Sequence, residues 1–599
     1  MREDNHRLRE ENQALRDEVA RLKGQKGKPS IGPSRLNPKK RVKRSGRRLR
    51  SRPARRVDRT EVIKAHAVPD GSRFKGYSNY DVQELVIKTE TIRYRVENWY
   101  TPEGQLISGV LPAATVVAGS HFGPTMQCFI LYQYYHALVT EPLLLEQLRE
   151  YGVTISSGQL HALVTEGKER FHREKDDILR VGLRVSGHIH VDDTGARHQG
   201  KNGYCTHIGN EWFAWFGSTQ SKSRINFLKL LRSGHTDYVL NDIALTYMDG
   251  QKLPMSVAER LIRDGLAADN EVVIADDHDW QAALKGWGIC DERHVRIITE
   301  GALLAAVLSH GVNPDLAIIS DDAGQFNILA HALCWIHAER VLAKLVGFND
   351  EQRAALEQVR SVVWELYRDL KAYKAAPTDK AGVALAKRFD DLCATHTCFS
   401  SLNKALERMG KNKKELLLVL DRPDLPLHNN LSEGDIREQV KRRKISGGTR
   451  SEQGRRGRDT FASLKKTCRK LGVSFWSFLI DRIRQTGTIP SLPSLIEARA
   501  LRDPLIFRSK FRHLRGASSK NLKYCGRRSL CVHATSGAHH GIQAYDGRAR
   551  HPRLPDIAVR RRPARQAGLV AVAVHAGCDP RGVAGDPLDR DRHGRGARR

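Results

Sequence analysis

Residues 187–198 read GHIHVDDTGARH. Ile189 and Val191 alternate with polar neighbours, the period of a strand with one covered face, and this strand is expected to end on two acids, Asp192 and Asp193. Residues 204–218, YCTHIGNEWFAWFGS, read as a second strand with an exposed hairpin turn near Gly209–Asn210. A short helix over 225–232 and a strand-like YVLNDIALTYM (238–248) follow. Residues 256–310 read as helices around EVVIADDHDW (271–280), and PDLAIISDDAGQF (314–326) reads as a buried strand ending on Asp321 and Asp322. Hairpin strands, a helix and a further strand, with an acid on the first strand, fit an α/β ribonuclease-H-like core whose first part spans 186–326.

Downstream, apolar positions recur in helical steps through ILAHALCWIHAERVLAKL (328–345) and LEQVRSVVWELYRDLKAY (356–373), so 327–424 is expected to be a helical insertion. The core resumes over 425–490, beginning LPLHNNLSEGDIREQVKRRK. Asn429 and Asn430 stand before a helix, Glu433 falls in its first turn, and Arg437 and Lys441 share the face of Glu433. Arg442, Arg443 and Lys444 continue the basic run, and VSFWSFLIDRI (473–483) makes an amphipathic closing helix. One acid beside a basic face suits a metal-bound phosphodiester, the acid on a divalent ion and the cations on a DNA backbone. The plainer alternative is a surface helix whose Glu433 pairs with Arg437.

The whole chain has 599 residues and a formal charge of +32, room for several domains and a balance that points to a polyanionic partner, nucleic acid first. It contains no apolar run long enough to span a bilayer, and its first ten residues, MREDNHRLRE, lack the apolar segment of a signal peptide. Ten Cys without a dense framework read as reduced thiols, so a cytoplasmic, nucleoid-associated protein is expected. Leu8, Leu15 and Leu22, each preceded three residues earlier by Asn5, Asn12 or Val19, give a short coiled-coil zipper over 1–23 that favours a dimer. Residues 24–59, with KKRVKRSGRRLRSRPARRVDR at 39–59, are expected to form a disordered basic arm. A small β module is expected over 60–115, from the alternation in VQELVIKTETIRYRVENWY (82–100) and a Pro-Glu-Gly turn at 102–104. The region 116–185 is helical, and within it EPLLLEQLREYGVTISSGQLHALVTEG (141–167) has the form of a helix-turn-helix. Gly152 marks the turn, Ser156 or Ser157 caps the second helix, and Leu160, Leu163 and Val164 face inward. No Glu follows Glu497 and no Lys follows Lys523, so 491–599 reads as a disordered or frameshifted tail.

Three short elements stand in order along the chain: Asp192-Asp193-Thr194, Cys334-Trp335-x-His337-x-x-Arg340 and Asn429-Asn430-x-x-Glu433. With the N-terminal zipper in front, they resemble the transposases of the IS66 family of bacterial insertion sequences over roughly residues 60–490. The resemblance implies a DDE transposase with a ribonuclease-H-like core interrupted by a helical insertion. It implies that Asp192, Asp321 and Glu433 hold two Mg²⁺ or Mn²⁺ ions and that the enzyme cuts DNA at element ends and transfers the strands. Arg340, Arg437, Lys441, Arg442, Arg443 and Lys444 are then the expected DNA contacts. A homodimer or larger synaptic assembly is expected, with accessory element-encoded proteins as possible partners. Two departures stand out. The Cys-rich zinc-binding element that the family commonly carries before the core is missing, since no Cys precedes Cys128. Asp192 and Asp321 are 129 residues apart, which leaves Asp276 or Asp277 as substitutes for the second acid. A separate set, Cys334, His337, Cys393 and Cys398, has a loose version of zinc-ligand spacing. A DNA-binding remnant without catalysis and a stand-alone nuclease of the same fold are the competing functions.

Overall fold

The computed structural model describes residues 57–112, 116–117, 119–266 and 270–502. The zipper at 1–23, nearly all of the basic arm and the tail beyond 502 lie outside the described residues. By internal contacts the chain divides into Met1–Asn521 and Leu522–Arg599, and everything described belongs to the first unit.

Of the expected β module only a hairpin forms, β1 (Asn98–Tyr100) antiparallel to β2 (Leu106–Ser108), with Trp99 opposite Ile107. Its turn is the Pro-Glu-Gly segment, where Gly104 sits at φ 79° and donates to the Thr101 carbonyl at 2.9 Å. The alternation before it does not become strand. Leu85, Val86 and Ile92 stay exposed, because a lone two-stranded hairpin offers no apolar face to cover them. The helix-turn-helix segment does form, as Glu141–Glu150, a turn through Gly152 at φ 80°, and Ser157–Thr165. Ser156 caps the second helix: its hydroxyl accepts from the Gln159 amide, and the Gln159 side chain accepts from the Ser156 amide. Such a reciprocal cap is worth about 1 kcal/mol. Leu160 and Val164 are buried beneath it.

The core sheet is built from β3 (His188–His198), β4 (Lys201–Gly209) and β5 (Ala214–Thr219) in antiparallel succession. Then β6 (Tyr238–Leu240) and β7 (Val272–Ile274) pair only with each other, as a separate two-stranded ribbon. The chain returns to the main sheet with β8 (Ala317–Ser320), parallel to β3, and β9 (Ala330–Leu333), parallel to β8. The order is β5-β4-β3-β8-β9. All four residues of β8 are buried, as in a parallel strand covered on both faces.

Four local expectations change. The first strand does not stop at the acids. It pairs with β4 as far as His198 opposite Lys201, because backbone ladder bonds do not depend on the polarity of the side chains above them. At the β4–β5 turn Glu211 is exposed, but the expected tip, Gly209–Asn210, is not. Asn210 is buried, with its amide on the Ser186 hydroxyl at 2.8 Å and its oxygen accepting from the Trp212 amide at 2.9 Å. In YVLNDIALTYM only the first three residues are strand. Asn241 then accepts from the Ile243 and Ala244 amides and starts the helix Asp242–Gly250. Finally, the start of the expected helical insertion is not helix: Ala330–Leu333 pairs in parallel with Ala317–Ser320 as β9, because an apolar run this short follows the free edge of β8 and not its own periodicity. The helical insertion therefore begins at Trp335. It holds its own core around Leu366, Phe389, Leu402 and Leu406, and Trp335 anchors it by donating from Nε1 to the Leu416 carbonyl at 2.8 Å.

After the insertion come the helices Asn430–Ser446, Glu452–Leu471, Phe475–Arg484 and Leu492–Ala500. The second of these closes the open edge of the sheet. Thr467, Ser463 and Asp459, one helical turn apart, accept from the amides of Ala214, Phe216 and Ser218 on β5, so the outward N–H groups of that edge strand are all engaged. The last helix moves the expected boundary at 491, since Leu492 and Ile496 are fully buried.

Candidate active site

The parallel pairing of β3 and β8 sets Asp192 and Asp321. Its last matched positions are His190 and Ile319, and each acid lies two residues farther along the chain, Asp192 within β3 and Asp321 just past the end of β8. The helix Asn430–Ser446 is fixed over this face by bonds on either side of Glu433. Asn429 donates to the Val191 carbonyl at 2.7 Å and its oxygen meets His190 Nδ1 at 3.0 Å. His207, directly across from Asp192 on β4, meets the Ser432 hydroxyl at 2.6 Å and lies 3.3 Å from the Asp435 carboxylate. Ser432, Asp435, Ile436 and Gln439 thus face inward, and Glu433 lies on the flank of the helix. Arg437, Lys441 and Lys444 are exposed on that flank.

Burial, with the charges of Asp321, Asp193 and Glu433 behind it, pushes the Asp192 carboxyl up to about 6, against a hydrogen bond from the Asp193 amide. Asp193 itself is engaged by Thr206 and by Gln325 Nε2 at 3.0 Å, and Asp322 by Arg408. Asp321 differs, because its Oδ1 is buried and has no hydrogen-bond partner. Glu433 accepts from Arg340 Nη1 at 3.0 Å and lies 3.5 Å from His337 Nε2. The alternative pairing of Glu433 with Arg437 does not form, and Arg340, from the start of the insertion, is the partner instead. The three acids are not among the described groups of three whose ligand atoms lie within 4.8 Å of one another. Like charges repel, and Arg340 draws Glu433 toward the insertion. An all-oxygen donor set that includes a buried, unpaired carboxylate oxygen fits a hard divalent cation.

The basic run divides. Arg442 is buried against the core: it donates to the Tyr134 carbonyl at 2.5 Å, and its guanidinium lies 4.2 Å from the centre of the Tyr134 ring. It is therefore a packing residue and not an exposed DNA contact. Arg443 donates to Thr194 Oγ1 at 3.2 Å and to the Gly195 carbonyl, next to the acid-bearing part of β3. The substitute acids sit elsewhere. Asp276 caps the helix Asp277–Gly286, and Asp277 accepts from Tyr238 Oη at 2.7 Å and from Lys229, all at the β6–β7 ribbon. The Cys₃His set is not brought together among the described residues. Cys334 is buried and accepts from the Asn429 amide at 3.2 Å, while Cys398 is exposed.

The sequence reading missed His207 and Asp435. Burial opposes ionisation of Asp435, yet its neighbours His207 and Lys470, the latter at 2.8 Å, hold its carboxyl well below the usual carboxylate range. The available signal was cross-strand alternation, since His207 lies on the covered face of a hairpin partner to the first acid.

The family model described as "Transposase IS66 family" matches residues 317–457, from β8 through Asp321, Arg340 and Glu433 to the helix beyond. An uncharacterized protein of Sinorhizobium fredii, y4jO, is 44% identical over 325 residues, which cover 54% of this chain and 100% of that relative. The chain belongs to the IS66 family of transposases.

Proposed function

We propose that this chain is a DDE-type transposase with a ribonuclease-H-like core, which cuts DNA at the ends of an insertion sequence and joins those ends to target DNA. The observation that carries the reading is the convergence of three separate chain segments. Asp192 and Asp321 each lie two residues beyond the last matched pair of the adjacent parallel strands β3 and β8, and the charge of Glu433 adds to that of Asp321 in raising the Asp192 pKa. Three antiparallel strands followed by two parallel ones, in the order β5-β4-β3-β8-β9, support the core assignment.

Asp192, Asp321 and Glu433 would hold Mg²⁺ or Mn²⁺. Bound there, such ions activate the attacking oxygen and stabilise the leaving oxygen of an in-line phosphoryl transfer. The protein's own part is to place charge. Asn429, His190 and His207 orient the Glu433 helix, and Arg340 holds the Glu433 carboxylate. The exposed Arg437, Lys441 and Lys444 line one side of the Glu433 helix and suit a phosphate backbone. Arg443, tied to the β3 backbone, fixes the strand that carries Asp192. With water as nucleophile the reaction frees a 3′-hydroxyl, and with that hydroxyl as nucleophile it joins strands, so neither step needs a covalent protein–DNA link. The helix pair Glu141–Glu150 and Ser157–Thr165 is the proposed reader of the element end, working in a dimer or larger synaptic assembly.

The test is Mg²⁺-dependent cleavage and joining of a labelled element-end duplex by the full chain and by Asp192→Asn, Asp321→Asn and Glu433→Gln. All three variants should bind the duplex and neither cut nor join. An Asp321→Asn protein with normal turnover would refute the triad.

A further inference from the structure

A second cluster of ligating side chains lies just upstream of the acids on β3. His188 and His190 point to the same face of the strand, and Glu211 approaches from the β4–β5 turn. The ligand atoms of these three residues all lie within 4.8 Å of one another. His188 Nε2 and Glu211 Oε2 are 3.5 Å apart. A tetrahedral ion with bonds of about 2.0–2.1 Å needs donors about 3.4 Å apart, so this pair already has the required spacing.

The tautomer of His190 strengthens the case. Asn429 is oriented by the bond from its amide nitrogen to the Val191 carbonyl at 2.7 Å, which leaves its oxygen facing His190 Nδ1 at 3.0 Å. An amide oxygen can only accept, so Nδ1 carries the proton and Nε2 presents a lone pair. His190 is 1% exposed, and its Nε2 is buried with no hydrogen-bond partner. A metal-binding imidazole is commonly held in this way, its other nitrogen donating to an oxygen that fixes the ring. His188 Nε2 is likewise buried without a hydrogen-bond partner. The nearby ammonium groups are engaged: Lys374 donates to the Leu425 carbonyl, and Lys470 to Asn210 and Asp435.

We propose that His188, His190 and Glu211 form a structural site for a zinc-class divalent ion, distinct from the oxygen-only site of Asp192, Asp321 and Glu433. Two imidazoles and one carboxylate suit a borderline-soft ion, whereas Mg²⁺ favours an all-oxygen set. The ion would tie the start of β3 to the β4–β5 turn and, through His190 and Asn429, to the base of the Glu433 helix. This inference stands on the cluster itself and does not depend on the catalytic reading.

The experiment uses the full chain, stripped with EDTA and dialysed, then titrated with Zn²⁺ by calorimetry and with Co²⁺ by visible absorption. One equivalent of Zn²⁺ should bind, and Co²⁺ should give the bands of a four-coordinate centre. Glu211→Gln, a substitution at an exposed turn, and His188→Gln should each weaken Zn²⁺ binding at least about tenfold. Their circular dichroism in EDTA should remain that of the unsubstituted chain. Asp192→Asn and His310→Gln should leave the affinity unchanged, which separates this site from the carboxylates and from the His235, Asp237 and His310 group. Three results would overturn the proposal: no stoichiometric Zn²⁺ binding, undiminished binding in both Glu211→Gln and His188→Gln, or loss of binding in Asp192→Asn or His310→Gln with Glu211→Gln unaffected.

Discussion

Two short stretches of this chain look alike, VVIADDHD ending β7 and IISDDAGQ ending β8. Each is an apolar strand that terminates in a pair of aspartates, yet the fold puts them to different use. At β7 both acids are satisfied locally. Asp276 accepts from two amides at the start of its helix, and Asp277 is held by Tyr238 and Lys229. At β8, Asp322 pairs with Arg408, but Asp321 keeps a buried oxygen without a partner and its charge acts on Asp192 of the adjacent strand β3. An acid whose hydrogen bonds are complete stabilises a fold. One left incomplete beside another carboxylate is the candidate for the proposed catalysis.

The sharpest way to break this contrast is to neutralise one acid at each strand end. Asp321→Asn should lower cleavage and joining on the order of 10³-fold or more, the size expected when transition-state charge loses its support. Asp276→Asn should stay within a few-fold of the unsubstituted chain, because Asn also caps helices. Equal losses in the labelled-duplex assay would mean that the two strand ends are not distinct in role.

Arg442 and Lys441 offer a parallel comparison between adjacent cations. Arg442→Ala should lower unfolding stability by about 2 kcal/mol, the scale of a desolvated cation–π contact, and leave the salt dependence of DNA binding unchanged. Lys441→Ala should leave denaturant midpoints unchanged and reduce the slope of log K against log salt by about 1. A reversed pattern would move the DNA face to the other side of the helix.

The acid site should also show up in stability without any substrate. Burial and neighbouring acids raise the Asp192 pKa to about 6, so ionisation is more costly folded than unfolded. The penalty is absent below the unfolded pKa of about 3.9, grows between there and about pH 6, and is complete above it. In EDTA at pH 7, Asp192→Asn should therefore raise unfolding stability by about 1–2 kcal/mol, and the gain should vanish near pH 3.5. A gain that persists at low pH would assign the effect to packing. The smallest expected change is at the satisfied strand end: Asp276→Ala should cost about 1 kcal/mol through loss of the cap, with no dependence on divalent ions.

Much of the site was legible before the structure. The alternation around Ile189 and Val191, the apolar run before Asp321 and the Asn pair before Glu433 each state a local conformation that tertiary contacts do not overrule. What could not be read were facts of pairing. The β9 segment is short enough for either helix or strand, and only the free edge of β8 decides it. Arg442 and Lys441 are indistinguishable as letters, and the aromatic surface that buries one of them comes from residues 134–135, far away in sequence. Arg340 as the holder of Glu433 joins helices separated by the whole insertion. Distinguishing β7 from β8 required the sheet order itself.

The spacing of the three acids also governs when the site can exist. The pairing of β3 with β8 must wait for a long intervening segment, and the third acid arrives only after the insertion has been made. At synthesis rates of about 5–20 residues per second, the stretch from Asp192 to Glu433 takes tens of seconds to emerge. High-contact-order pairings of this kind form late, after the local helices and hairpins. A nascent or prematurely terminated chain ending before Asn430 thus has a complete β3–β5 hairpin array and only two of the three acids. On the proposed function, aborted translation products would lack the third acid and be unable to cleave DNA.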